Sequence, residues 1–257
     1  MCNCIQNQRF DEITLLKTRF HKVTVHDLIS SIVNAAKTDE RSIIGNVNIR
    51  AANFAYELPW YRNFINNSDL VFCDGFGVLL GAKLMNYSMQ SCHRMTCPDF
   101  IEDLARACEK ADVSVFLLAG KPGITDKSIQ KLRAIAPNLN IDGHHGYFEK
   151  SGAENDAIIE KINRFNPDVL YVGFGMPAQE KWIWDNFNHI QTRVFLPLGA
   201  CLDFYTGEVY RGPQWLTDRG LEWLSRLFTE PQRLWSRYLV GNPLFFYRVI
   251  QEKLFQR

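Results

Sequence analysis

No stretch of the 257-residue chain carries the roughly 18 to 20 uncharged apolar residues that a membrane-spanning helix needs, and the opening MCNCIQNQRFDEIT has no apolar core of the signal-peptide kind. That pattern argues against a bilayer-spanning chain, and a cytoplasmic protein is expected. Charge of one sign is lacking too: 29 Lys and Arg stand against 28 Asp and Glu, so no global electrostatic grip on nucleic acid is expected. Cysteine is sparse and odd in number. The seven residues Cys2, Cys4, Cys73, Cys92, Cys97, Cys108 and Cys201 are scattered, which predicts reduced thiols rather than a disulfide framework. Cys2 and Cys4 are too close for a zinc knuckle, and no second pair completes a set of ligands. Asp-x-Asp occurs nowhere, so the usual carboxylate hook for a divalent ion on a nucleotide-sugar diphosphate is missing. No predicted strand-to-helix turn carries GxGxxG with a ribose-binding acid downstream, which disfavours an NAD-dependent oxidoreductase.

What is present is a 46% hydrophobic, 22% charged composition, which excludes disordered, collagen-like and coiled-coil classes. After a strand-rich start at 12–24, a helix over 25–36 is predicted, with Asp27 suited to capping it. Apolar strands at 42–49, 69–75, 113–120, 138–148, 168–175 and 193–204 then alternate with helices at 53–67 (broken at Pro59), 125–136, 153–165 and 178–189. This alternation implies an α/β fold: a Rossmann-like parallel sheet with helices on both faces. Residues 1–210 form that body. From about Arg211 no strand-like run remains, and 211–257 holds eight Lys or Arg against four acids among many aromatics. A basic, aromatic, helical C-terminal appendage is expected there, divided at Pro231 and at Gly241-Asn242-Pro243.

In open parallel sheets ligands bind beyond the carboxyl ends of the strands. Here those ends read Asn46-Val47-Asn48, Asp74-Gly75, Gly120-Lys121-Pro122-Gly123, His144-His145-Gly146-Tyr147, Gly173-Phe174-Gly175 with Gln179 shortly after, and Gly199-Ala200-Cys201-Leu202-Asp203. Together they make a nucleotide-sized crevice. The turn holding Gly120, Lys121 and Gly123 suits either a phosphate cradle or a plain strand-to-helix turn. Asp74, held at the end of an apolar strand, suits a general base whose pKa partial burial would raise, or an Asp-Gly turn capping the next helix. Side chains one apart point to opposite faces of a strand, so His144 and His145 make a poor metal pair.

The blocks Asp74-Gly75-Phe76-Gly77-Val78, Arg94-Met95-Thr96 with Asp99, GKPG, HHGYF, PDVLYVGFGMPAQEKW, LGACLDFYTGEVYRGPQW and GLEWLSRLFTEPQRLWSRY occur in an order and spacing that resembles the WecG/TagA/CpsF glycosyltransferases, over roughly residues 40–240. The resemblance implies a bacterial inverting enzyme. It would move a sugar from a UDP donor to a sugar on a polyprenyl diphosphate, in the synthesis of teichoic acid or another surface polysaccharide. Carried over, Asp74 is the base, Arg94 lies near the diphosphate or acceptor, Gln179 matches an active-site glutamine and Asp203 suits the nucleoside. Asn46, Asn48, Gly120, Lys121, Gly123, Tyr147, Gly173 and Gly175 border the donor. Where the family often has Thr-x-Asn, this chain has Asn46-Val47-Asn48. Arg226, Arg233 and Arg237 match appendage arginines that help close the site.

The expected partners are therefore a UDP-sugar, a polyprenyl-diphosphate-linked sugar and the inner face of the cytoplasmic membrane, with no nucleic acid, no metal and no cofactor; a homo-oligomer stays open. A mixture of arginine and aromatic residues suits an anionic membrane surface, whereas a structural cap is the plainer role for such a tail. The alternative reading is a nucleotide-binding protein without transfer activity.

Overall fold

The structure, a computed structural model, describes residues 10–212, 216 and 220–255, without the side chains of Glu222 and Arg233. A hairpin comes first: β1 (Glu12–Leu15) and β2 (Thr18–His21) pair antiparallel. Helix α1 (Val25–Ala36) follows. Its N-cap is Thr24, whose hydroxyl accepts from Asp27 N–H; Asp27 returns the bond, accepting from Thr24 N–H at 2.9 Å. The capping role read for Asp27 is thus the reciprocal half of a capping box.

The main sheet holds β3 (Ser42–Val47), β4 (Leu70–Cys73), β5 (Val115–Ala119), β6 (Ile141–His144), β7 (Val169–Gly173) and β8 (Val194–Pro197), all parallel, in the order β4-β3-β8-β7-β5-β6. Alternate side chains of β5 enter opposite cores. Val115, Leu117 and Ala119 pack with Leu28, Ile32 and Phe100 on one face, and Phe116 and Leu118 pack with Tyr61, Phe64 and Phe195 on the other. Burial on both sides explains why these strands read as continuous apolar runs. Helices α2 (Ile49–Glu57), α3 (Pro59–Asn66), α4 (Phe76–Leu84), α5 (Cys97–Lys110), α6 (Ile124–Ile135), α7 (Gly152–Phe165) and α8 (Ala178–Asn186) cover the faces. From β5 the chain turns to β6 at one edge, while from β7 it turns to β8 toward the other. Neighbouring β5 and β7 therefore part at their carboxyl ends, and a crevice opens there.

Several sequence readings need correction. The strand expected over 193–204 ends at Pro197, and Cys201–Tyr205 is a short helix, α9, entered through Gly199 at φ +62°. The strand expected over 138–148 is confined to Ile141–His144. Because it stops at His144, the two histidine rings do not point to opposite faces; their centroids lie 4.1 Å apart. The thiols are not all reduced: Cys97 and Cys201, which begin α5 and α9, form a disulfide across 104 residues. Sequence separation carries no signal of that approach.

The appendage comprises α10 (Glu222–Thr229), α11 (Pro231–Trp235), a widened π-type turn at Ser236–Val240 and α12 (Gly241–Phe255). Gly241-Asn242-Pro243 does not divide it. Gly241 N–H reaches back five residues to Ser236 O, so helix continues through the segment, and the missing donor of Pro243 falls in the first turn beyond, where it is tolerated. Phe245 and Val249 of α12 are fully buried in the second core. Asn53 donates to Gly241 O at 2.9 Å and Arg248 pairs with Glu57 at 2.7 Å. No described helix is long and apolar enough to cross a membrane.

Candidate active site

Two clefts open where the carboxyl edge of the sheet meets the appendage. The smaller, about 350 Å³, is bordered by Asn48, Arg50, Asp74, Arg94 and Thr96 from the body and by Trp223, Arg226, Arg237 and Tyr238 from the tail. The larger, about 1160 Å³, lies over the β5/β7 parting and takes Gly120, Lys121, Tyr147, Lys150, Gly173, Gly175 and Asp203.

The geometry of the smaller cleft starts from strand register. Val47 pairs with Cys73, so the next residues of both strands, Asn48 and Asp74, emerge side by side. Asn48 caps α2: its Oδ1 accepts Ala51 N–H at 3.0 Å, which leaves its Nδ2 to donate to Asp74 Oδ2 at 3.1 Å. An asparagine side chain puts the two functions on separate atoms, an acceptor for the helix and a donor for a carboxylate. Beyond Asp74, Gly75 turns the chain at φ +93°, a conformation that side chains rarely adopt, into α4. Met95 N–H donates to Cys73 O at 3.1 Å, so the Arg94 segment runs alongside β4 and brings Arg94 into the same cleft.

Arg50, Arg94, Arg226 and Arg237 thus share a space with the Asp74 carboxylate. Burial lowers the pKa of Arg237, and the nearby Arg226 and Arg50 charges add to this while Tyr238 and Asp74 oppose it. Arginine nonetheless stays charged at any physiological pH, so the cleft is a concentrated positive field fitted to a phosphate-bearing ligand. Arg226 packs over the Phe204 ring at 4.9 Å, and its Nε is buried without a hydrogen-bond partner among the described residues. Arg211, at the start of the tail, joins the two parts: it pairs with Asp99 at 2.7 Å and donates to Thr96 Oγ1 at 2.7 Å. Burial pushes the Asp99 carboxyl up, but the Arg211 bond and charge and the Thr96 bonds outweigh it and hold the group below its ordinary range.

Other candidates lie elsewhere. Asn46 is buried, with its Nδ2 on Pro197 O across the β3/β8 seam, and borders neither cleft. Gly123, at φ +87°, caps α6 and borders neither cleft. Gln179 is fully buried and holds backbone rather than facing a cleft: its Oε1 accepts Gly175 N–H at 3.2 Å and Gly199 N–H at 3.1 Å. The Arg233 side chain is outside the described residues.

Sequence reasoning passed over Arg50, two residues beyond the helix-capping Asn48, and Lys150, whose ammonium lies 3.6 Å from the Phe148 ring centroid and 4.3 Å from that of Phe174. Lys150 also donates to Gly146 O and Phe148 O, fixing the loop that carries Tyr147. Glu180 was passed over as well. Burial pushes its carboxyl up to about 7, against the opposing effect of a bond from Gln179.

A sequence model described as "Glycosyl transferase WecG/TagA/CpsF family" matches residues 13–257. The chain belongs to this family. An N-acetylglucosaminyldiphosphoundecaprenol N-acetyl-beta-D-mannosaminyltransferase of Staphylococcus aureus (strain MRSA252) is 24% identical over 244 residues, covering 94% of this chain and 93% of that protein. The protein of the same name from strain NCTC 8325 / PS 47 has the same identity and coverage. The WecG/TagA/CpsF chain is thus an enzyme, a glycosyltransferase of the hexosyl-transferring kind acting in surface-polymer synthesis, and a nucleotide-binding protein without transfer is not favoured.

Proposed function

We propose that the larger cleft receives the nucleoside diphosphate of a UDP-sugar and that the smaller cleft is where the sugar meets an acceptor sugar on a polyprenyl diphosphate. The observation that carries this reading is the Asn48–Asp74 pair, 3.1 Å apart, within a ring of arginines. Asp74 takes the proton of the acceptor hydroxyl as that oxygen attacks the anomeric carbon. The bond from Asn48 keeps the carboxylate fixed, and one displacement inverts the configuration. The leaving UDP gains negative charge as the bond breaks, and the fixed guanidinium groups of Arg94 and its neighbours stabilise it where other transferases use a divalent ion.

The relatives' name supplies the acceptor class: they act on N-acetylglucosamine linked through a diphosphate to undecaprenol and transfer an N-acetylmannosaminyl group. The tail, 211–257, docked on the body through α12, serves in this reading to complete the smaller cleft and to face the lipid. Exposed Phe228, Trp235, Leu239, Ile250 and Leu254 suit contact with a leaflet, which supports an enzyme working at the inner face of the cytoplasmic membrane. The test is a screen of UDP-sugars, UDP-N-acetylmannosamine first, against a short-chain polyprenyl-diphosphate N-acetylglucosamine, with product read by mass. A disaccharide-diphosphate product with inverted linkage is expected; no product with any UDP-sugar, from protein that binds UDP, overturns the proposal.

A further inference from the structure

Behind the larger cleft lies a buried polar chain that the displacement itself does not use. Gln179 and Glu180 open α8 and are 0% and 1% exposed. The Gln179 carbonyl ties the turn after β7 to the turn after β8 through Gly175 N–H and Gly199 N–H, and its Nε2 donates to Glu180 Oε1 at 2.8 Å. Gly175 and Ala200, carried on the same two turns, and Asp203, on α9 just beyond, border the larger cleft. Gly199 is gripped again by Tyr171, whose hydroxyl donates to its carbonyl at 3.3 Å.

The two ends of a primary amide have nearly the same size, so packing does not choose which of them faces the glycines. The acceptor at position 180 does choose. From other elements Glu180 is faced by the Tyr61 hydroxyl on α3 and by the charge of Arg50 on α2. Its Oε2 and the Tyr61 hydroxyl interact, although neither completes a well-formed hydrogen bond among the described residues. Burying a carboxyl group is costly, and an apolar side chain of the same volume would stabilise the helix packing more.

We propose that Glu180 is a positioning residue for the donor: by accepting from Nε2 of Gln179 it turns the Gln179 carbonyl toward Gly175 and Gly199, and so sets the floor that receives the nucleoside diphosphate. This rests on the reading of the larger cleft as the UDP-sugar site.

The test uses the full chain and the variants Glu180→Gln, which keeps an acceptor, and Glu180→Leu, which does not. Titration with UDP and steady-state kinetics are read beside melting temperature. Glu180→Gln is expected to bind UDP within about twofold of wild type, whereas Glu180→Leu binds about tenfold more weakly, with donor KM raised more than kcat falls. A cooperatively folded Glu180→Leu with UDP affinity and donor KM within about twofold of wild type overturns the proposal. Should Glu180→Leu not fold, Gln179→Met decides: an affinity loss of about tenfold there, with none in Glu180→Gln, is expected, and wild-type affinity in Gln179→Met overturns the proposal. Amide exchange of Gly175 and Gly199 reads the clamp without any ligand. If wild type binds no UDP, the functional reading fails, and slow exchange in Glu180→Gln with fast exchange in Glu180→Leu still supports the clamp; equal exchange in both sinks it.

Discussion

Asn48 divides its amide between a helix end and a carboxylate, and the two duties separate by substitution. Asn48→Ser keeps a capping oxygen but, one atom shorter and without the amide nitrogen, cannot both cap the helix and reach Asp74 as Asn48 does, so stability should fall by only a few tenths of a kcal/mol, while kcat falls about tenfold as one hydrogen bond to the proposed base is lost. Asp74→Asn should cost on the order of 10² to 10⁴ in kcat and leave UDP affinity within a few-fold. Stopped assays and calorimetry on the same preparations check both. Glu180 makes a pH prediction. Its carboxyl is raised to about 7 in the folded chain, from 4.5 as its ordinary value. Between these values the folded state holds the proton and the unfolded state has released it, so stability falls as pH rises through this window and is level above it. At about 1.4 kcal/mol per pH unit the loss approaches roughly 3 kcal/mol. Glu180→Gln should lack that component, which denaturant melts at pH 5 and pH 8 would show as a smaller difference than in wild type. At this scale Asp74 could be picked out because it ends an apolar strand, whereas Arg94 was marked only by the family resemblance. Arg50 and Glu180 could not, since on a helix a charge facing a cleft and a charge facing water look alike in one sequence.

The elements themselves were well marked wherever burial made the pattern strong. The strands at 42–47, 70–73, 115–119 and 169–173 each fall inside the expected run, because double burial leaves little but Val, Ile, Leu and Phe in them. Where the run was overextended at 193–204, the apolar residues Leu198, Cys201 and Leu202 continue past the last ladder bond into a turn and a short helix and are also buried, and period alone cannot separate these; at 138–148 the aromatic residues past His144 belong to a loop in which Tyr147 is exposed. Gly173 shows how tightly the ends of β7 and β8 meet. A Cβ there would strike Gly199 O and come within 2.7 Å of Ala119 Cβ. The Gly199 oxygen is backbone and cannot swing aside, so Gly173→Ala should push the β8 turn away and loosen Gly199 from Gln179. A loss of about 1–3 kcal/mol in stability is expected from overpacking, together with weaker UDP binding. Wild-type UDP affinity in that variant would show that the floor tolerates the shift.

Over the whole molecule, the appendage is less separate than composition suggested. Its last helix shares the sheet's core through Phe245 and Val249, its arginines border the smaller cleft, and Arg211 ties its start to the Arg94 loop. A basic, aromatic composition announced a surface role but gave no hint of this docking, because the buried residues are a minority of the segment. The two proposed roles of the tail divide cleanly by residue. Leu239→Glu with Ile250→Glu alters only exposed positions away from both clefts. It should weaken binding to anionic vesicles and spare transfer to a soluble acceptor analogue. Arg226→Ala with Arg237→Ala should lower soluble transfer. Equal vesicle binding by the Leu239/Ile250 variant and wild type would remove the membrane role.

The Cys97–Cys201 bond stands between Thr96, at the rim of one cleft, and Ala200, at the rim of the other. It joins the starts of two helices, α5 and α9, that also share the first core, and so adds a covalent strut between the two rims. In the proposed reading, a nucleotide-sugar held in the larger cleft reaches Asp74 in the smaller by its own span. Length would then be a criterion of selection: a nucleoside monophosphate sugar, shorter by one phosphate unit, should be a poor donor.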